Sequence, residues 1–191
     1  MSDTWAVSPA AENTTYFRAA ATIGGAGALT LLKTDTSVNG CGYKLIITAA
    51  ATAIARTFTI VGNTVSQPSG KTTEVITGPA TNVLTTNYWA SIESISCDAA
   101  FASNISIGIS GSLALPRCRI KSVYAIGAAA AGSVVVAMNT SGKTIINVDT
   151  PASVAAVCWL ETESIPVYAA TKGDFGIVTL TQVTKATLIC G

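Results

Sequence analysis

The chain has 191 residues, 49% of them hydrophobic and 11% charged, and its 11 Lys and Arg residues against 10 Asp and Glu residues leave a formal net charge of +1. This length allows a buried core in one large β-domain or two small domains, and the balanced charge lacks the clustered cations that bind nucleic acids and anionic membranes, so we predict neither partner. Because soluble domains typically carry about 25% charged residues, we also expect other subunits to cover part of this surface.

Residues 1–28 form a distinct N-terminal segment that has aromatic side chains but no scaffold of its own. It contains Trp5, Tyr16 and Phe17, and it ends in the glycine-rich run 24–27, which we interpret as a linker. No basic region precedes an apolar run, so the segment does not have the pattern of a signal peptide. We predict an extended arm that lies either on a neighbouring subunit, with the three aromatic residues as anchors, or against its own domain.

Short stretches of alternating apolar and polar residues follow along the rest of the chain. The clearest are 57–61, 73–77 and 105–109, where large side chains alternate with Thr, Ser, Gly or Glu. The Ala-rich run 48–55 lacks a periodic apolar stripe, so it is predicted as a strand end plus a connection. The pattern indicates an all-β fold of two small antiparallel sandwich-like or barrel-like modules. Further strands are predicted at 29–32, 44–48, 88–96, 120–126, 133–138, 144–148, 157–160, 165–168, 177–181 and 185–190.

Turn-forming residues separate these strands, and the boundary between the modules is predicted close to Pro116. Proline lacks a main-chain donor, and the cations of the following segment 117–121 interrupt a neutral stretch, so we predict modules at 29–115 and 116–191. The uncharged run 122–142 approaches the length of a membrane span, but its glycines favour two short strands joined by a turn. Other turns are predicted at 38–40, 67–70, 77–79 and 140–142.

The sequence contains no histidine. Histidine is the usual general base near neutral pH, a common metal ligand and the usual activator of Ser and Cys nucleophiles. We therefore predict that the protein is not an enzyme and has no catalytic residue, no cofactor and no metal site. Glu74 and Glu93 are interpreted as solvent-facing sheet residues, and Glu161 and Glu163 as loop carboxylates rather than cation ligands.

The five cysteines are isolated from one another and include no C-x-x-C pair. Their odd number leaves at least one without a disulfide partner in a single chain. We interpret them as small apolar core residues of a chain that assembles in a reducing compartment, and whether any two are bridged stays open. They are Cys41, Cys97, Cys118, Cys158 and Cys190.

Tyr88 and Trp89 begin one predicted strand. Because successive side chains of a strand point to opposite faces, we expect one of them to enter the core and the other to face outward as an anchor for a partner. With Trp5, Tyr16 and Phe17 they are the candidate partner contacts. Exposed aromatic residues also suit a receptor- or glycan-binding module, which is a second functional class, although the aromatic content is only 6%.

Two stretches of the chain resemble virion structural proteins of tailed bacteriophages. The first stretch carries TFTIVG at 57–62, TTEVITGP at 72–79 and YWASIESIS at 88–96. The second carries RIKSVY at 119–124, AGSVVV at 131–136 and NVDTPAS at 147–153.

The resemblance implies a non-enzymatic head decoration or cement protein that binds and reinforces the capsid shell. Its location would be the virion, assembled in the host cytoplasm, and its partners the major capsid protein or other virion proteins. A homo-oligomer is expected, with a trimer favoured. Many Ala, Val, Thr and Ile side chains fit such a role, because they lose little rotamer entropy at an interface. A neck or tail ring component is the alternative.

Overall fold

The computed structural model describes residues 4–35, 40–153, 157–167 and 174–191. These residues form antiparallel strands and no helix, so the predicted all-β fold is confirmed, and the sheets do not close into a barrel. Accordingly, no described residue lies in a helix with the length and hydropathy of a membrane span. The strands are β1 (Trp5–Val7), β2 (Asn13–Ile23), β3 (Gly27–Ala28), β4 (Gly42–Ala49), β5 (Thr57–Thr64), β6 (Gln67–Thr77), β7 (Asn82–Leu84), β8 (Trp89–Cys97), β9 (Phe101–Leu115), β10 (Cys118–Gly127), β11 (Gly132–Met138), β12 (Thr144–Thr150), β13 (Val157–Val167), β14 (Gly176–Thr181) and β15 (Val183–Cys190).

Residues Ala11–Ser110 form one compact unit. Its strands lie in the order β9, β4, β8, β5, β6, with β2 paired to β9, β7 to β4 and β3 to β8. Strand alternation decides which side chains are buried: in β5 every second residue points inward, including Phe58 and Ile60. Ile60 lies opposite Ile95 of β8, which is also fully buried, so neighbouring strands contribute facing residues to one core.

Residues Met1–Ala10 and Gly111–Gly191 form the other compact unit. One sheet of this unit has the order β1, β15, β10, β13, and a second group of strands has the order β12, β11, β14. β14 also pairs with residues 113–115 at the end of β9. Fully buried apolar residues of this unit include Val123, Ala125, Val134, Val136, Val178 and Leu188.

The N-terminal segment is extended, and it forms strands in both units. Trp5 of β1 lies opposite Cys190 of β15, and Arg18 of β2 lies opposite Ile107 of β9. The compact units divide after Ala10 and after Ser110, whereas the sequence-based boundaries were placed after residues 28 and 115. The segment 1–28 is therefore shared between two units in the structure.

In the described residues most predicted connections are confirmed, one predicted turn is wrong, and the predicted strand 29–32 is not formed, because β3 ends at Ala28 and β4 begins at Gly42. Residues 38 and 39 of the turn predicted at 38–40 lie outside the described residues. β4 ends at Ala49 inside the Ala-rich run, and the run 122–142 contains β10 and β11 joined by a short connection. The turn predicted at 67–70 lies inside β6, because the chain reverses earlier, between Thr64 and Gln67. Pro68 is tolerated there because the register shifts between the pairs Asn63–Lys71 and Thr64–Gln67, so Pro68 has no ladder partner in β5 and its missing main-chain donor costs no hydrogen bond.

We predict that Gly108→Ala destabilises the fold while Gly25→Ala does not. A Cβ at Gly108 would collide with the Asn13 carbonyl oxygen and lie 2.5 Å from the Thr14 Cα, and these main-chain atoms of β2 cannot rotate away. We expect Gly108→Ala to lower the free energy of unfolding by about 1–3 kcal/mol, measured by denaturant titration. A Cβ at Gly25 meets nothing within 4 Å. Equal stability of the two variants would contradict the close approach of β2 to β9.

Candidate functional site

β6 is the strand at one end of its sheet order in the described part of the chain, and it is paired along one edge with β5. From Lys71 onward its residues alternate, so Lys71, Thr73 and Val75 are exposed while Glu74 is buried. Val75 is 61% exposed, which is a high value for an aliphatic residue in a strand. An outer strand of this kind presents main-chain donors and acceptors together with side chains, and such edges pair readily with strands of other chains. β6 is therefore the candidate association surface.

Glu74 fixes this edge strand to the connection between β7 and β8. Its carboxylate accepts hydrogen bonds from the Thr86 main-chain N–H at 2.5 Å, from the Asn87 main-chain N–H at 3.1 Å and from Asn87 Nδ2 at 2.8 Å. The same connection is tied to β4, because the Leu45 N–H donates to Thr85 Oγ1 at 2.9 Å. A buried carboxylate with three donors is well compensated for its loss of water.

Glu74 and Glu93 lie on opposite faces of the same sheet. Glu74 is opposite Ile60, on the buried face, so the prediction that it faces solvent is wrong. Its hydrogen bonds to the neighbouring connection provide the physical reason. Glu93 is exposed and pairs with Lys71, with 2.7 Å between Oε2 and Nζ. This separation by the sheet prevents the two carboxylates from acting as an acid–base pair on one substrate.

We predict that Glu74→Gln destabilises the fold more than Glu93→Gln does. In Glu74→Gln the amide oxygen replaces only one of the two carboxylate oxygens, so either the Thr86 N–H or the two Asn87 donors lose their acceptor. The free energy of unfolding then falls by about 1–3 kcal/mol. Glu93→Gln removes only an exposed ion pair, which is worth about 0–1 kcal/mol. Denaturant titration of both variants measures the difference. A smaller effect at Glu74 than at Glu93 would contradict the anchoring role.

Tyr88 and Trp89 are both buried, so the expectation that one of them faces outward is wrong. Trp89 is 0% exposed and lies between Tyr43 of β4 and Thr64 of β5. Tyr88 is 9% exposed, and the Lys44 Nζ lies 5.3 Å from its ring centre. Burial raises the pKa of the Tyr88 phenol. Tyr88 precedes the first residue of β8, and for that reason strand alternation does not determine its direction.

The three N-terminal aromatic residues differ in their exposure. Phe17 is 0% exposed and belongs to the core of its unit. Tyr16 is half-buried, packs edge-on against the Phe17 ring and lies under the Lys33 ammonium, whose Nζ is 4.3 Å from the ring centre. Trp5 is half-buried in β1. Trp5 and Tyr16 therefore keep accessible surface and remain predicted partner contacts, whereas the Phe17 side chain is enclosed by its own chain.

Arg18 is a buried cation that the sequence interpretation did not select. Its guanidinium donates to the carbonyl oxygens of Ala21 at 3.0 Å, Thr22 at 2.9 Å and Ile105. The pairing of β2 with β9 is irregular between Arg18 and Ala21, so the guanidinium occupies a place where the main-chain ladder is interrupted. Burial lowers the pKa of Arg18. The available signal was its position as the only charged residue between Glu12 and Lys33.

Two cavities lie beside this arginine and share Thr22 and Ile23. One, of about 300 Å³, is lined by Arg18 and by the glycine-rich connection between β2 and β3. The other, of about 570 Å³, is lined by Arg56 and the start of β9. The Arg56 Nε donates to the Ala100 carbonyl at 2.9 Å. In both cavities the nearby arginine donates to main-chain carbonyls, which supports the surrounding loops.

The remaining acidic and sulfur-containing residues give no metal cluster. No group of three or more His, Cys, Asp or Glu side chains is close enough to hold a metal ion in the residues the structure describes. Asp174 instead accepts main-chain hydrogen bonds from Thr140 and Phe175 at 3.1 and 2.9 Å. Glu161 and Glu163 lie within β13, so the prediction of a loop at these two positions is wrong. The side chains of Cys158, Trp159, Glu161 and Glu163 lie outside the described residues.

Comparison of the chain with protein-family models, with curated proteins and with solved structures finds no match.

We predict that Asp98→Asn removes an acid-sensitive contribution to stability. A hydrogen bond from the Thr57 main chain, together with the Cys97 thiol and the Arg56 charge, lowers the pKa of Asp98. Because the folded-state pKa is the lower one, the carboxylate stabilises the fold above its unfolded-state pKa, and this contribution is lost as the pH falls through the folded-state pKa. Thermal unfolding from neutral to strongly acidic pH should show the variant less stable at neutral pH and equal to the wild type in strong acid. A constant difference at every pH would rule this out.

Proposed function

We propose that this chain is a non-enzymatic structural protein of a tailed-phage virion, which binds the capsid shell as a homo-oligomer and reinforces it as a decoration or cement protein. The observation that carries the proposal is the exposed edge of β6 with Val75 at its outer face. The motif resemblance supplies the class of assembly. The low content of charged residues, 11%, supports it, because few charges must lose water when the surface is covered.

The mechanism rests on burial of edge and aliphatic surface against neighbours. A neighbouring strand alongside β6 would pair its free main-chain groups and cover Val75, and the assembled shell would gain stability by mass action. Two other large apolar side chains of the described residues, Ile54 at 60% and Leu84 at 49%, could extend this contact, whereas Leu32 at 65% lies in the connection between β3 and β4 and is not part of the β6 edge. Aliphatic surface of this kind is typical of protein–protein contacts, where it packs without specific polar partners.

We predict that the chain is a stoichiometric component of purified virions. Quantitative mass spectrometry would measure its copies relative to the major shell protein, with copies on the order of hundreds expected for a shell component and about six or twelve for a neck or tail ring. A copy number of about six or twelve would replace the decoration role by that of a neck or tail ring component. Absence of the chain from particles would overturn the proposed function.

We predict that Val75→Lys weakens self-association of the purified chain, while Leu32→Lys does not. A lysine on the outer face of an edge strand opposes pairing with another strand, because its charge would have to be buried. Val75 and Leu32 are similarly exposed, at 61% and 65%, so both variants should keep the unfolding midpoint of the wild type.

Sedimentation velocity should show a smaller species for Val75→Lys and the wild-type species for Leu32→Lys. If both variants sediment like the wild-type oligomer, the interface lies away from β6. A wild-type chain that is monomeric at every concentration would contradict the proposed homo-oligomer.

A further inference from the structure

Two cysteine side chains meet on the neighbouring strands β10 and β15. Arg119 and Gly191 exchange two main-chain hydrogen bonds, from the Arg119 N–H to the Gly191 carbonyl at 3.0 Å and from the Gly191 N–H to the Arg119 carbonyl at 2.9 Å. Cys118 and Cys190 flank this pair diagonally. Because side chains alternate along a strand, both cysteines project to the face opposite that of Arg119. On this shared face the Cys190 side chain is the leading influence on the pKa of the Cys118 thiol.

The two thiols differ in their accessibility. Cys190 is 0% exposed, whereas Cys118 is partly exposed, and it is the only one of the four described cysteines that is not buried. The hydrogen bond from Cys190 lowers the pKa of Cys118 and outweighs the opposite effect of burial. A thiol that is accessible, readily ionised and adjacent to a second thiol has the features of a peroxide-sensitive cysteine with a resolving partner.

We propose that Cys118 and Cys190 are a thiol pair that a peroxide oxidises to an intrachain disulfide, with Cys118 as the residue attacked first and Cys190 as the resolving residue. In the first step the Cys118 thiolate attacks one peroxide oxygen, the O–O bond breaks and hydroxide leaves, which gives a sulfenic acid. In the second step the Cys190 sulfur attacks the Cys118 sulfur, the S–O bond breaks, and water forms with the proton lost from Cys190. Two thiols thus lose two electrons in total, and one hydrogen peroxide is reduced to two waters.

The consequence of this bond is a covalent link across the central strand pair of its sheet. In the order β1, β15, β10, β13 the disulfide would join the two central strands, β15 and β10. β15 is paired on its other side with β1, and β10 is paired on its other side with β13. The closed loop runs from residue 118 to residue 190, and long loops are those in which a crosslink most restricts the unfolded chain. We therefore expect the oxidised chain to unfold at a higher temperature than the reduced chain.

Cys97 provides a matched comparison in the same protein. It is buried, and its thiol lies within hydrogen-bonding distance of the Ala99 carbonyl oxygen at 3.3 Å and of Asp98 Oδ1 at 3.7 Å. In the described residues its hydrogen-bonding contacts are to oxygen atoms and not to a second thiol, so it has no resolving partner. Cys97→Ser should therefore leave the oxidation of Cys118 unchanged.

The test uses the full-length chain, reduced, freed of reductant and treated with hydrogen peroxide, followed by alkylation of the remaining thiols. The intact mass should show two fewer alkyl groups than the untreated reduced chain carries. Dithiothreitol added before alkylation should restore both groups. Trypsin cleaves after Arg117, Arg119 and Lys185, so non-reducing peptide mapping should show residues 118–119 linked to residues 186–191. Cys190→Ser should instead accumulate a Cys118 sulfenic acid that dimedone traps.

Three outcomes would overturn the proposal. Full alkylation of both Cys118 and Cys190 after peroxide treatment would show that the pair is inert. A disulfide that joins Cys118 to any other cysteine would show that Cys190 is not the resolving residue. Irreversible oxidation of Cys118 in the wild type, with Cys190 still alkylated, would show that the two sulfur atoms do not reach bonding distance.

Discussion

The alternation of side chains along hydrogen-bonded antiparallel strands is the constraint on which the other features of this protein depend. Once β5 is paired with β6 and β8, neighbouring residues of all three strands share a face, so Ile60 brings Glu74 and Ile95 to the buried side. The same register leaves Val75 on the outer side. A shift of one residue would exchange the two faces, expose the core and bury the charges, which is why this register is strongly specified.

The sequence predicted strands well where alternation is regular and poorly where another interaction interrupts it. The run 105–109 and the turn at 140–142 were identified because period-two patterning and turn residues are local properties. β2 was not, because Arg18 binds main-chain carbonyls within it and disturbs the alternation. For the candidate site, the strand 73–77 was predicted, but the direction of Glu74 depends on donors in a distant connection. The pairing of β1 with β15 is also long-range, so it could not be predicted from local sequence patterns.

Three of the five aromatic side chains selected from the sequence belong to the core of the unit Ala11–Ser110. Phe17, Tyr88 and Trp89 are buried, and the large apolar residues that remain exposed are aliphatic. Aliphatic surface offers area and shape but no ring face for stacking on sugars, so the described surface suits contact with other proteins better than a glycan platform. The edge of a strand adds main-chain donors and acceptors to this apolar area. In an association surface the apolar area contributes binding free energy, and the main-chain groups fix how the partner strand is aligned.

The placement of β1 beside β15 has a consequence for the order in which the chain acquires its structure. The unit Ala11–Ser110 is continuous in sequence, so all of its strands have left the ribosome while later residues are still being translated. The other unit pairs β1 with β15, so β1 waits without this neighbour until residues 183–190 have been translated. Translation thus imposes a sequence of events in which residues 11–110 are ready to fold before β1 can pair with β15.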